Sequence, residues 1–429
     1  MKVSNIIQAC VSKIVKKQRF VKDIFTSIFH QGGKVILVGG VVRDLFLQKS
    51  IKDIDIEVYG LSLEQLQNVL QEYGVVSLVG KSFGVLRLHG LDIDWSLPRQ
   101  DSSGRHPIVA YDSNMSFQQA FIRRDLTINA MGIDIQTFEL IDLYHGLQDL
   151  HDKILRSPDL GFFAEDPLRL LRVMQFAGRF EMTVDENLSR LCMTMDMSSV
   201  SQERIEQEFI KLFLQSSHPS LGLKWLLYIN KFHEFLPGVQ VNEQLFIMID
   251  TAAQLTNIDD QEKLVIIWSI VSSSINDDFE AEKVLCKQAT YDDTYKITKF
   301  MKQITRNQNI IEQVAHLVWY NKIIDESLTD VQLKWLAVWI APKTSLRILI
   351  QFAALKNNRL HINVLLNKVE QLGIADNPIA PLLTGKDFLD IASGVTVGIL
   401  VKKAYQIQID QGLVDRSVLK NMVIKTTKM

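Results

Sequence analysis

A chain of 429 residues exceeds one ordinary domain, and its 47% hydrophobic and 22% charged residues are those of a globular protein with several cores. Its 47 Lys and Arg against 49 Asp and Glu leave a net charge of −2, which excludes a generally basic nucleic-acid-coating protein; any RNA contact needs a local basic face. Cys10, Cys192 and Cys286 lie far apart and match no metal-ligand spacing, so they read as buried thiols in a reducing compartment, and no apolar run is long enough to span a bilayer. The basic N-terminal residues Lys13, Lys16, Lys17 and Arg19 sit among short apolar clusters without a cleavage-site pattern, so the expected location is cytoplasmic.

Residues 1–28 predict an amphipathic helix. From Gly33 the texture changes to short β-rich runs. Lys34–Val38 predicts a strand ending in Gly39-Gly40, and Ile54–Tyr59, Val85–Leu88 and residues 91–97 alternate with the period of half-buried strands. Residues 137–143 predict one more. After Leu150 strands are expected to stop, and helical periodicity begins over 164–179 and continues, with breaks near 216–220, 276–278 and 377–381. The fold class this supports is α+β, a mixed head followed by an all-helical remainder.

The segment Gly39-Gly40-Val41-Val42-Arg43-Asp44 runs from a strand into a helix through two glycines, a turn that lets backbone N–H groups approach phosphate oxygens. The same pair also marks plain turns, and the third spaced glycine of a dinucleotide fold is missing. Asp53-Ile54-Asp55 follows about ten residues on. In an extended strand positions i and i+2 project to one side, so both carboxylates face one point, the geometry for a pair of Mg²⁺ ions. Asp92 and Asp94 offer a third acid on another strand, with Asp94 favoured because it precedes the strand end at Leu97-Pro98-Arg99. Paired acids on a strand are also the ordinary mark of a solvated face.

With these pieces the chain resembles the class II tRNA nucleotidyltransferase (CCA-adding enzyme) and bacterial poly(A) polymerase family. Gly39 to Asp44 followed by Asp53-Ile54-Asp55-Ile56-Glu57 matches the family's catalytic motif. Arg123-Arg124-Asp125-Leu126-Thr127-Ile128-Asn129-Ala130-Met131 matches its ribose and triphosphate motif, with Leu126 where Phe is usual. Glu165-Asp166-Pro167-Leu168-Arg169 matches its nucleotide-selecting motif, and Ser201-Gln202-Glu203-Arg204-Ile205 with Glu208 and Lys211 is similar to its neck motif. The resemblance implies a polymerase-β-like nucleotidyltransferase head over 1–152, a helical neck over 153–220, a helical body over 221–345 and an RNA-binding tail over 346–429. It implies Asp53, Asp55 and Asp94 as catalytic metal ligands for Mg²⁺. The nucleotide-binding residues it implies are Gly39, Gly40, Arg43, Arg123, Arg124, Asp125, Asn129, Asp166, Arg169 and Arg172. The implied partners are CTP, ATP and a tRNA 3′ end, with no membrane.

The residues support these roles physically. Arg123 and Arg124 form a paired cationic site of the kind that clamps a triphosphate, and Asp125 can accept from a ribose hydroxyl. Asp166 and Arg169, three apart at a helix start, share a face; one accepts and one donates, as reading the Watson–Crick edge of cytosine or adenine requires. The resemblance implies that the polar loop 100–116, with Ser102-Ser103-Gly104-Arg105 at its tip, helps switch between the two bases. Lys81-Ser82-Phe83-Gly84 is expected to form a turn near the cleft. His151-Asp152 is the dipeptide of metal phosphohydrolases, but it lies after the head, and Glu243-Gln244 and Trp268-Ser269 stand where the resemblance would place ligands. No phosphohydrolase activity is therefore expected. His218, His233, His316 and His361 read as ordinary histidines, and the tryptophans, among them Trp225, Trp268, Trp335 and Trp339, as helix-packing residues. Lys386, Lys402, Lys403, Arg416, Lys420, Lys425 and Lys428 are candidates to grip tRNA phosphates. The expected reaction is CCA addition to tRNA. Poly(A) addition, CC-only or A-only addition, a non-catalytic RNA-binding scaffold and a small-molecule nucleotidyltransferase are the alternatives.

Overall fold

The computed structural model of the chain describes residues 3–17, 20–51, 53–79, 84–101, 109–275, 291–356 and 362–427. Expectations on the turn 80–83, the loop tip 102–108, the break at 276–278, Cys286, His361 and Lys428 lie outside the described residues. The described residues up to Ser201, joined by Leu221–Lys231, pack as one unit; Gln202–Ser220 and those from Phe232 onward pack as a second.

The first unit begins with two helices where one was expected, α1 (Val3–Lys17) and α2 (Val21–His30). Phe20 sits between them with φ 66°, a left-handed conformation that ends helical pairing. Valine- and isoleucine-rich strands then build a sheet: β1 (Lys34–Val38), β2 (Ile54–Tyr59), β3 (Val76–Val79), β4 (Val85–Leu88), β5 (Ile93–Ser96), with β6 (Arg99–Asp101) and β7 (Val109–Tyr111) paired apart as a ribbon. β8 (Gly132–Asp134) and β9 (Leu140–Ile141) complete seven strands in the order β3-β4-β5-β2-β1-β8-β9. β3 and β8 were not expected, and the strand expected over 137–143 is only two residues long. Helices α3 (Gly40–Phe46), α4 (Leu63–Gln71), α5 (Phe117–Ile122) and α6 (Gly146–Asp152) interleave with the strands.

Strand alternation decides what faces what. Leu37 pairs opposite Ile56, and Ile56 opposite Trp95. Val35, Leu37, Ile54, Ile56, Val58, Ile93 and Trp95 therefore share one core with Ile24, Phe25 and Ile28 of α2 and Leu66, Val69 and Leu70 of α4. Trp95 is fully buried there, edge-on to Phe25 at 6.0 Å. The other face carries Ile36, Val38 and Tyr59 against Phe121 of α5. Asp55 and Glu57 project from that second face.

Beyond Leu150 strands do not stop at once: β10 (Ile154–Leu155) pairs in parallel with β11 (Thr183–Val184). The helix expected over 164–179 is two, α7 (Leu160–Ala164) and α8 (Leu168–Phe180), separated by Glu165-Asp166-Pro167, and α9 (Glu186–Thr194) follows. Proline lacks the N–H a continuous helix would need, so α8 starts just after it. Trp225 anchors to α9 by donating from its Nε1 to Ser189 Oγ at 3.1 Å.

Among its described residues, the second unit's regular elements are all helices, with one isolated bridge between Val239 and Ile275. Trp268, in the helix Asp260–Ser272, is buried edge-on to Phe213 at 5.0 Å, and Ser269 beside it donates back to the Val265 carbonyl. Trp335 and Trp339 are only partly buried. They stack at 6.0 Å along the helix Asp330–Ile340 and line a cavity of about 390 Å³ with Asp410 and Gln406. Of the basic residues expected to grip RNA, Arg416 pairs with Asp387 at 2.6 Å, Lys420 with Asp390 at 2.9 Å, and Lys403 donates to the Thr426 carbonyl.

Candidate active site

The acids sit where the parallel strands β2 and β5 run side by side. Asp55 stands opposite Asp94 in register, and Asp53 lies two residues earlier on the same alternation, with Ile54 and Ile56 turned into the core. Asp53 and Asp55 are exposed. The protein packed around Asp55 raises its carboxyl above the ordinary carboxylate value; Arg124 opposes this, while Asp94, Asp53 and Glu57 add to it by repulsion. Asp92 precedes β5 and is exposed, so it is Asp94 that the register brings to Asp55.

Asp94 has a partner that sequence reasoning missed. Arg87 of β4 pairs opposite it across the ladder and donates from Nε and Nη2 to its two oxygens at 2.7 and 2.8 Å. The signal was present in the alternation of Val85-Leu86-Arg87-Leu88, which turns Arg87 away from the core. Among the described residues no three His, Cys, Asp or Glu side chains stand together as a ready metal site. The donors still suit a hard cation: they are carboxylate oxygens, and the crowding of Asp53, Asp55 and Asp94 is the repulsion that a divalent ion relieves. Asp53 and Asp55 fit that role as they stand; Asp94 fits it only by exchanging Arg87 for the ion.

Gly39 closes the turn between β1 and α3 with φ 75° and ψ −131°, a region that L side chains rarely adopt, and a Cβ there would meet Arg124 Nη1 at 3.0 Å. Its N–H donates to the Met131 carbonyl at 3.2 Å, so it is not offered to phosphate as the glycine pair suggested. What the missing Cβ admits is the Arg124 guanidinium. Glu57 fixes that group by accepting from Nη2 at 2.6 Å and also accepts from the Tyr59 hydroxyl at 3.0 Å. The Arg124 Nε–H is buried with no protein acceptor. An unmet donor on a buried cation is a ready anion contact.

Four of the residues expected to contact the nucleotide, Arg43, Asn129, Asp125 and Arg172, are linked to one another. Arg43 is 5% exposed; it donates from Nη1 to Asn129 Oδ1 at 2.6 Å and from Nε to Asp44 at 2.8 Å, and lies over the Phe176 and Phe180 rings. Asn129 passes the chain on, donating from Nδ2 to Asp125 Oδ1 at 3.0 Å. Asp125 Oδ1 also accepts from the Leu126 N–H at 2.8 Å, and Oδ2 takes Arg172 Nε and Nη2 at 2.7 and 2.6 Å. Four donors fill its four lone-pair sites, so a ribose hydroxyl would have to displace one of them. Burial alone would raise the Asp125 carboxyl; Arg172, Asn129 and the Leu126 amide together hold it at about 2.

At the start of α8, Asp166 accepts from the Leu168 N–H at 3.2 Å. Arg169 donates from Nη1 to the Phe162 carbonyl and from Nη2 to the Arg123 carbonyl, the latter at 2.7 Å. Burial lowers its pKa against the pull of Asp125, Asp166 and Glu165. Each terminal nitrogen of that guanidinium keeps a second hydrogen for another acceptor. Arg123 lies over the Phe162 ring at 4.8 Å and reaches Glu165 at 3.4 Å, so Phe162 joins the two motifs, a role that spacing alone did not reveal. His151 and Asp152 pair with each other at 3.0 Å on the exposed end of α6.

Acids in register on two strands, a glycine turn that admits an arginine, and an arginine-bearing helix start all belong to the first unit. The sequence profile of the poly A polymerase head domain matches residues 35–156. That match makes residues 35–156 similar to such a head domain, and the curated relatives that align with the chain include CCA-adding enzymes. The chain is 34% identical over 224 residues to the multifunctional CCA protein of Haemophilus ducreyi, covering 50% of this chain and 52% of that protein. It is 31% identical over 221 residues to the A-adding tRNA nucleotidyltransferase of Aquifex aeolicus, covering 49% of this chain and 27% of that protein. The aligned stretch thus spans about half or less of these relatives' own lengths. Among solved structures, the Bacillus stearothermophilus CCA-adding enzyme in complex with CTP has a TM-score of 0.71 at 16% identity, covering 95% of this chain and 96% of that one. The Thermotoga maritima CCA-adding enzyme complexed with tRNA has 0.64 at 20%, covering 97% and 98%. At such identities what is shared is the fold.

Proposed function

We propose that the chain adds CMP and AMP, taken from CTP and ATP, to the 3′ end of tRNA and releases pyrophosphate. The observation that carries this reading is the acid pair Asp53 and Asp55, with Asp94 in register, on the sheet face that also holds Arg124. The relatives' names favour tRNA as the acceptor and CTP and ATP as donors.

In this reading Asp53 and Asp55 hold Mg²⁺, and Asp94 joins them if Arg87 releases it. Bound there, the ions would lower the pKa of the attacking RNA hydroxyl and neutralise the leaving pyrophosphate. Arg124, held by Glu57 and carrying an unmet Nε–H, takes triphosphate oxygens, and Arg123 extends the cationic surface. Asp166 and Arg169 read the base edge, the acid accepting from an exocyclic amine and the guanidinium donating to ring acceptors. Asp125, Asn129, Arg43 and Arg172 keep this wall rigid, as precise positioning demands.

The test is to incubate the protein with Mg²⁺ and a tRNA lacking its last three nucleotides, with CTP, ATP, both or neither, and to sequence the ends. The expected products are CC with CTP alone, CCA with both, and none with ATP alone. The match to an A-adding enzyme keeps a narrower reading in play; extension by one A, and only of a tRNA already ending in CC, would replace the first. Unlimited A-tailing would move the chain to poly(A) addition. No extension at all would leave an RNA-binding scaffold.

A further inference from the structure

The last turn of α8 carries a group of cations that the nucleotide site does not use. Phe176 and Phe180 stack at 5.6 Å and 15°. Around the Phe180 ring stand Lys49 Nζ at 4.6 Å, the Arg43 guanidinium at 4.7 Å and the Arg179 guanidinium at 5.0 Å, while Arg172 lies over Phe176 at 5.4 Å. Arg43 and Arg172 are neutralised, by Asp44 and Asp125. Lys49 and Arg179 are not: among the described residues neither forms an ion pair. Lys49 is exposed and Arg179 half-buried, so both are within reach of a ligand from solvent.

Such crowding is costly unless something offsets it. Burial first, and then repulsion from Arg179 and Arg43, lowers the Lys49 pKa, with Asp44 and Glu181 pulling the other way; burial and repulsion from Arg43 lower that of Arg179 against the pull of Asp44. The ring holds the cations by their attraction to its face but supplies no negative charge of its own. An anion at this place would relieve the repulsion and gain two charge-assisted contacts. In a chain of net charge −2, a local pair of unneutralised cations is where a polyanion can be gripped.

We propose that Lys49 and Arg179 form a phosphate subsite for the RNA backbone, separate from the triphosphate site at Arg124. The proposal rests on the RNA-extending function put forward above. It adds to the sequence-based expectation, which named C-terminal basic residues as candidates to grip tRNA phosphates.

The experiment measures binding of a tRNA lacking its last three nucleotides by fluorescence anisotropy from 50 to 300 mM salt. The proteins are the wild type, Lys49→Met, Arg179→Met and Lys49→Arg, with CTP affinity measured alongside. Methionine keeps an unbranched apolar stem against Phe180, and thermal melts confirm the fold. Each methionine variant is expected to lower the slope of log affinity against log salt by about 1 and to weaken binding by about tenfold at low salt. Lys49→Arg restores both, and CTP affinity does not move. An unchanged slope in both methionine variants overturns the subsite, as does a loss of CTP affinity with tRNA binding intact. Binding of inorganic phosphate alone that both methionine variants abolish, with their tRNA affinity unchanged, also overturns it in favour of a free-phosphate site. If the wild type itself binds no tRNA, it is the RNA function that fails.

Discussion

Asp125 shows what a single carboxyl does in this site. Held at about 2 in the folded chain against an ordinary value of 3.8, it contributes roughly 2 kcal/mol of stability. Because the folded value is the lower one, that contribution is complete above about pH 4 and is lost as pH falls through about 2. Removing the acid leaves Arg172 and Asn129 without their acceptor, so Asp125→Ala is expected to cost about 3 kcal/mol at pH 7 in urea denaturation. The deficit should shrink as the pH is lowered toward 2. Equal deficits at pH 7 and pH 2.5 would show that the ionised form is not what stabilises the fold. Arg87 makes the second prediction. Its pair with Asp94 is partly exposed and its loss should change stability by less than about 1 kcal/mol. Arg87→Gln frees Asp94 for an ion, so the half-saturating Mg²⁺ or Mn²⁺ concentration should fall several-fold, and Asp94→Asn should cancel the gain. No change in metal affinity would make Asp94 a strand-pairing residue only. The positions of Asp53 and Asp55 were legible because alternation is a property of one strand. The burden on Asp125 was not, because its partner Arg172 is 47 residues away and nothing local announces the pair.

Elements were legible where local chemistry is strong. β1 follows from a continuous apolar run rich in β-branched residues, β2 and β4 from alternation, and the start of α8 from Asp166-Pro167. The break at Phe20 was hidden because no glycine or proline marks it, and β8 because Gly132-Ile133-Asp134 is too short to show a period. It becomes a strand through pairing with β1, a tertiary effect. The turn after β1 gives the element-scale prediction. At Gly39, alanine has to adopt a glycine backbone while pressing on Arg124. Gly39→Ala is expected to lose about 1–3 kcal/mol of stability. It should also weaken CTP binding more than tRNA binding, by equilibrium titration of each. Wild-type affinity for CTP would mean that Arg124 is not held for the triphosphate.

Across the whole molecule, the sequence separates an α+β head from a helical remainder because the periodicity changes from two to 3.6 near residue 150. It could not say how the helical part packs. Trp268 and Ser269, in the place of possible metal ligands, instead lie in the buried centre of the second unit, beside Phe213. Filling a core this way makes Trp268→Ala a stability variant, expected to cost about 3–5 kcal/mol by urea denaturation. The account as a whole turns on two acids on one strand. The direct measurement is single-turnover incorporation of labelled CMP into a tRNA lacking its last three nucleotides, comparing wild type with Asp53→Ala/Asp55→Ala. Both acids are exposed, so the variant should keep the wild-type melting transition to within a few degrees. Its incorporation rate is predicted to fall by at least about a thousandfold. A folded double variant that incorporated CMP at the wild-type rate would contradict the account.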